Sequence, residues 1–187
     1  MGITFNNGVV LAAERRFSYG TFVVSRHAKK VFKITDQVGA ACAGMAADMQ
    51  ILVRQITAYV KIRELEINRP MPPNSVAKLL GVLLFENRFA PFLAQVIVGG
   101  LDGKPSIFVL DPIGSVIPDE YASVGTGAEM AIGVIDAEYT PGLKEEDAKK
   151  LAVKAIRAAI QRDSASGDGV EMLVLTPSNA NTETLSF

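Results

Sequence analysis

Among its 187 residues the sequence holds one cysteine, Cys42, one histidine, His27, and no tryptophan. A lone cysteine excludes a disulfide framework, and together with a lone histidine it excludes zinc sites built from several cysteines or histidines within one chain. It also fits a reducing compartment. Charge of one sign is scarce too: 19 Lys and Arg against 20 Asp and Glu leave a net charge of −1. No global field draws polyanions, so neither nucleic acid nor an anionic membrane is an expected partner. Long apolar runs are missing. The most apolar stretch, 38–47, has ten residues and includes Gly39 and Gly44, about half of what a bilayer span needs. Residues 1–8 show no basic stretch followed by a long apolar run and a small-residue cleavage site, so a cytoplasmic location is expected. No repeat, low-complexity tract or linker interrupts the chain, and residues 1–187 are expected to form a single domain.

What is present is a change of hydrophobic period along the chain. Ile3 to Phe5 and Val9 to Ala13 flank an Asn-Gly turn signal and read as a β-hairpin, followed by strands at Val31 to Ile34 and Val38 to Cys42. Four strands therefore come first. From Ala46 to Arg69, Met49, Leu52, Val53, Ile56 and Val60 recur at helical spacing, and the prolines after Arg69 end the run. Asn74 reads as the N-cap of a second helix bearing Val76, Leu79, Leu80, Leu83 and Leu84. The two are expected to form an antiparallel pair. Ala94 to Val98 and Ile107 to Leu110 read as a hairpin around Asp102-Gly103. Helices are expected over Ala128 to Glu138 and Glu145 to Gln161, the second with an alanine-rich stripe and an acidic first turn that suits its dipole. Glu171 to Leu175 reads as a last strand. Strands, two helices, strands, two helices and a strand do not alternate as βαβ units; the order argues for α+β with antiparallel sheets and helices on the outer faces.

Three segments can carry chemistry. Arg162-Asp163-Ser164-Ala165-Ser166-Gly167-Asp168-Gly169 has the composition of a plain helix-to-strand turn, and equally offers hydroxyls and carboxylates at the end of a rigid helix. Val124-Gly125-Thr126-Gly127 sits at a strand-to-helix junction but lacks the third glycine and the Gly-Lys-Ser/Thr ending of phosphate loops. A serine hydrolase would need His27 to meet Ser164 or Ser166, and no Gly-x-Ser-x-Gly elbow is present. Lys29-Lys30 reads by composition as a solvated pair at a strand edge. A lysine pointing inward instead would need a carboxylate, which Glu14 or Asp163 could supply.

Gly2-Ile3-Thr4, Asn7 to Ala12, Glu14-Arg15-Arg16, Lys29 to Ile34, Ala43-Gly44, Val98-Gly99-Gly100, Leu110-Asp111-Pro112 and Arg162 to Gly167 resemble, in order and across nearly the whole chain, the β-type subunits of the proteasome core particle in the archaeal style, within the N-terminal nucleophile hydrolases. The resemblance implies an αββα sandwich, two antiparallel sheets between helix layers. It further implies α-type subunits and other β-type subunits in stacked rings as partners, unfolded polypeptides as substrates, and no cofactor. Active members attack the peptide bond with an N-terminal threonine whose own amine serves as general base. A free α-amine ionises near 7.7–8.0, so no histidine is required. Carried over by position, Lys30 would lower the hydroxyl's pKa, Glu14 would hold Lys30, and Thr126, Asp163 and Ser166 would orient the amine. The Gly44 amide would form the oxyanion hole, and Ser18 and Cys42 would line the substrate channel and the first specificity pocket. Thr126 departs mildly from the family, which usually has serine there. The larger departure is Met1, which aligns with the fourth residue of a mature active subunit. At about 3.3 Å per strand residue its amine falls about 10 Å short of the reaction centre. Two readings stay open: a ring subunit without peptidase activity of its own, and an active threonine endopeptidase whose upstream residues are not in the given sequence.

Overall fold

The computed structural model describes residues Met1–Phe187. Its elements are β1 (Gly2–Phe5), β2 (Gly8–Glu14), β3 (Phe17–Tyr19), β4 (Phe22–Ser25), β5 (Val31–Lys33), β6 (Val38–Gly44), α1 (Ala46–Ile67), α2 (Pro73–Glu86), β7 (Ala94–Asp102), β8 (Lys104–Leu110), β9 (Val116–Asp119), β10 (Tyr121–Ala122), α3 (Ala128–Glu138), α4 (Glu145–Ile160), β11 (Val170–Thr176) and β12 (Asn179–Leu185). One five-stranded sheet runs β10-β1-β2-β11-β12 and a second runs β5-β6-β7-β8-β9, with β3 and β4 forming a separate ribbon. All pairings are antiparallel.

The period-2 alternation of the strands sorts side chains into three apolar layers. Along β2, Val9 and Leu11 face the other sheet while Val10 and Ala12 face α3 and α4; along β11, Leu173 and Leu175 divide in the same way from Met172 and Val174. In the second sheet Ala40 and Cys42 of β6, with Val96 and Val98 of β7, meet Leu52, Ile56 and Val60 of α1 and Val76, Leu80 and Leu84 of α2. Helix pair, sheet, sheet, helix pair is the four-layer αββα order. The sheets approach closely because Gly2, Gly39 and Gly99 lie between them. A Cβ built on Gly39 would stand 2.4 Å from a Leu173 methyl, and one on Gly99 2.8 Å from Val9. Ala148, Ala152, Ala155 and Ala159 of α4 are buried against the first sheet, their small side chains letting the helix lie close.

The structure differs from the sequence reading at several boundaries. The second helix begins at Pro73 with Pro72 as an extended cap that makes no side-chain capping hydrogen bond, so Asn74 lies in the first turn and is not the N-cap. Proline's fixed φ and missing N–H make it a better first helical residue than the following asparagine makes a cap. Six strands, not four, precede α1: the short runs β3 and β4 turn through Gly20, at φ +58. The last strand expected is followed by another, β12, whose sequence NANTETL lacks apolar alternation because it pairs on one side only, as a sheet edge. No helix is long and apolar enough to cross a membrane.

Candidate active site

Five segments converge at one end of the sandwich on a cavity of about 640 Å³: the exit of β2, the residue before β5, the exit of β6, the turn before α3 and the turn after α4. Its wall includes Met1, Glu14, Ser18, Lys30, Cys42, Gly44, Thr126 and Ser166. Lys30 points inward and pairs with Glu14; their side chains are only 15% and 16% exposed. The compositional reading of a solvated lysine pair therefore holds for Lys29 alone, which is exposed and lies 5.8 Å from the Phe32 ring. The Lys30 backbone is fixed by its carbonyl, which accepts the Cys42 amide at 2.8 Å. Glu14 Oε1 takes the Lys30 ammonium, and Oε2 accepts the amides of Arg16 at 2.6 Å and Gly167 at 3.1 Å. A carboxylate tied by two backbone donors is a fixed negative charge, and it holds the ammonium in one position.

The second polar group centres on Asp163, just past α4. Its Oδ2 accepts the hydroxyls of Thr126 at 2.5 Å and Ser166 at 2.6 Å, and Oδ1 accepts the Ala165 amide at 3.0 Å. Burial pushes this carboxyl up, but the Ser166 and Thr126 hydroxyls, the Ala165 amide and the Lys30 charge outweigh it and leave the pKa below the ordinary 3.8. Asp163 is not on the cavity wall; it stands behind Thr126 and Ser166 and reaches the space through their hydroxyls. Gly127, the cap of α3, permits this, since a Cβ there would stand 2.8 Å from Ala159 and 3.4 Å from both Asp163 Oδ2 and Ser166 Oγ. The methyl that distinguishes Thr126 from serine does not prevent its hydroxyl from reaching Asp163.

Gly44 ends β6 at φ +133, and a Cβ there would fall 2.0 Å from the Leu93 carbonyl oxygen, so only glycine fits. The next amide, Met45, donates to that same carbonyl at 2.8 Å. Cys42 is buried on the inner wall, and burial pushes its thiol up to about 12. It is a small apolar wall residue, uncharged at neutral pH. Met1 is buried as well; its amine donates to the Ala12 carbonyl at 2.8 Å, and desolvation lowers its pKa to about 5 despite the opposing pull of Cys42 and Glu14. His27 is exposed, with Arg15 and the Ser25 hydroxyl as its neighbours, and is not on the cavity wall. No histidine–serine relay forms. Gln95 was not singled out by sequence; its Oε1 accepts the Gly125 amide at 3.0 Å and supports the turn bearing Thr126. Nothing in a lone glutamine at the start of a largely apolar strand signals that role beforehand.

A four-layer αββα sandwich with a cavity at the end where the first strand begins, bordered by Glu14, Lys30, Thr126 and Ser166, is the arrangement of the N-terminal nucleophile hydrolases. The family model described as Proteasome subunit matches residues 1–175. Proteasome subunit beta 1 of Cenarchaeum symbiosum (strain A) is 56% identical over 96% of this chain and 93% of its own. Proteasome subunit beta 1 of Nitrosopumilus maritimus (strain SCM1) is 56% identical over 94% and 89%, and Proteasome subunit beta 2 of Pyrobaculum calidifontis is 47% identical over 98% and 91%. The chain belongs to the proteasome subunit family, on its beta-type branch.

Proposed function

We propose that this chain acts in protein degradation as a ring subunit of the core particle, alongside α-type and other β-type subunits in the cytoplasm, with unfolded polypeptides as substrates. In the form beginning at Met1 it hydrolyses no peptide bond itself. The observation behind the ring-subunit reading is the family match over residues 1–175; a form that begins at Met1 has a thioether where the chemistry needs a hydroxyl, and its amine is engaged by the Ala12 carbonyl. The chain then contributes cavity walls, with Ser18 and Cys42 lining the path of a substrate.

A second reading is supported by the polar shell around the cavity, in which Glu14, Lys30, Thr126, Asp163 and Ser166 are paired as the chemistry of a terminal threonine requires. Residues ahead of Met1 would enter this space. The threonine oxygen would then attack the substrate carbonyl while its proton passes to the threonine amine. The Lys30 charge would favour the developing alkoxide. The Gly44 amide would donate to the oxyanion. Collapse would expel the amine product with that proton, and water would release the acyl group.

Intact mass of the subunit from assembled native particles separates the two. A mass starting at Met1 or Gly2 supports the first reading, and peptide hydrolysis by the particle is then insensitive to Lys30→Met. A mass with added residues opening on threonine overturns it. Lys30→Met is then expected to lower kcat by a factor of a hundred or more, in the range of a lost general-base or oxyanion group.

A further inference from the structure

The exit of β2 and the 163–168 loop are about 150 positions apart in the chain, and the Arg16 side chain ties one to the other. Arg16 directs Nε to Asp168 Oδ2 at 2.8 Å and Nη1 to the Ser164 carbonyl at 3.1 Å. Its side chain is 23% exposed and that of Asp168 10%. The guanidinium lies against Gly167, where a Cβ would stand 2.2 Å from Nη2, so a side chain at that position would displace it. The backbones are stitched together at the same point: the Arg15 amide donates to the Gly167 carbonyl at 3.1 Å, and the amides of Arg16 and Gly167 both end on Glu14 Oε2. Asp168 adopts φ +67, a conformation aspartate tolerates at a cost, which turns its carboxylate back toward Arg16. Arg26 offers a second, more distant cation at 3.5 Å from Oδ1, but its side chain is 70% exposed.

We propose that Arg16 is a positioning residue: its bonds to Asp168 and Ser164 hold the 163–168 loop against the exit of β2. Glu14 thereby receives both amides and keeps Lys30 facing the cavity. Nothing in this role touches substrate. Without the guanidinium the loop is free to leave, Glu14 loses the Gly167 amide, and the Lys30 ammonium gains access to solvent. Asp163 and Ser166, on the same loop, move with it. The inference deepens the reading of the cavity as an N-terminal nucleophile site, and rests on that reading only for its kinetic arm.

The test is competitive acetylation of lysines on the full chain in assembled particles, read residue by residue by mass spectrometry. Lys149, 17% exposed and paired with Glu183 at 2.8 Å near the start of α4, the opposite end from the 163–168 loop, reports general loosening. Arg16→Met is expected to raise acetylation of Lys30 at least fivefold relative to Lys149. A ratio unchanged within twofold, or a parallel rise at both lysines, overturns the proposal. Where Arg16→Met particles do not assemble, Arg16→Lys keeps the charge opposite Asp168 but cannot also reach Ser164, and is expected to raise the ratio about twofold to threefold; no rise overturns the proposal. In particles whose peptidase activity is traced to this subunit, Arg16→Met should lower kcat about tenfold with KM within twofold, and Arg16→Lys should restore part of kcat. A raised KM with kcat retained counts against positioning. Absence of peptidase activity in the parent particle bears on the proposed function alone, because the acetylation ratio still decides the role of Arg16.

Discussion

Leu11→Ala tests whether the spacing of the two sheets rests on one side chain seated among glycines. Leu11 is fully buried in the layer between the sheets. A Cβ built on Gly2, Gly39 or Gly99 would stand 3.1, 3.1 and 3.0 Å from its methyls, so the leucine packs directly on three stretches of backbone. Truncations of buried leucine cost about 2.7–5.0 kcal/mol, the higher values arising where the surroundings cannot collapse into the space left. Backbone held in two hydrogen-bonded sheets collapses poorly, so a loss of about 4 kcal/mol is expected, a large share of the ~5–15 kcal/mol that stabilises a typical domain. With a urea m-value near 2–3 kcal/mol/M, the midpoint should fall by about 1.3–2 M. The assay is urea unfolding of the purified chain followed by far-UV circular dichroism, with Leu65→Ala as control. Leu65 is 76% exposed on α1, and its truncation should change stability by no more than ~0.5 kcal/mol. A loss below about 2 kcal/mol for Leu11→Ala with an unchanged m-value, or one equal to the control, would refute the argument that the inter-sheet layer is rigid.

Gly44→Ala should lower the thermal midpoint by roughly 5–10 °C, because the strain of a positive φ, about 1–3 kcal/mol, adds to the clash with the Leu93 carbonyl; differential scanning calorimetry reads it. Cys42 should resist iodoacetamide in the folded chain. A thiol pushed up to about 12 from 9.0 holds on the order of a thousandfold less thiolate than a free one, and alkylation that keeps pace with a denatured control would contradict its burial. Arg16 holds the Asp168 carboxyl below its ordinary 3.8. Its folded value lies under the unfolded one, so the stabilisation is present above about pH 4 and lost as pH falls through the folded value. Asp168→Asn should therefore be less stable than the parent at pH 6, with the gap narrowing toward pH 3, as followed by urea midpoints across that range.

Much of the fold was legible because it depends on local periodicity. The Asn6-Asn7-Gly8 hairpin, the stripe through Met49, Leu52, Ile56 and Val60, and the alanine face of α4 each satisfy a rule that acts within a few residues. The Pro73 start of α2 was misplaced by two residues because two capping preferences competed and the proline prevailed. Strand β12 was missed because an edge strand with a solvated face carries no hydrophobic alternation, and β3 and β4 because three or four residues are too few to establish a period.

The sequence by itself determined the α+β order, the family, and the inventory of groups at the site, since residue types and short spacings are local properties. Only the tertiary structure decided which groups meet. Composition left Lys29 and Lys30, and Glu14 and Asp163, equivalent, and only the family resemblance preferred Lys30 with Glu14. The packed chain turned Lys30 inward, paired it with Glu14 and set Asp163 behind Thr126 and Ser166. It also brought Arg16 to Asp168 across most of the chain. Such pairings depend on how two sheets stack and where their ends coincide, and that is fixed by burial summed over the whole core, not by any short stretch of residues.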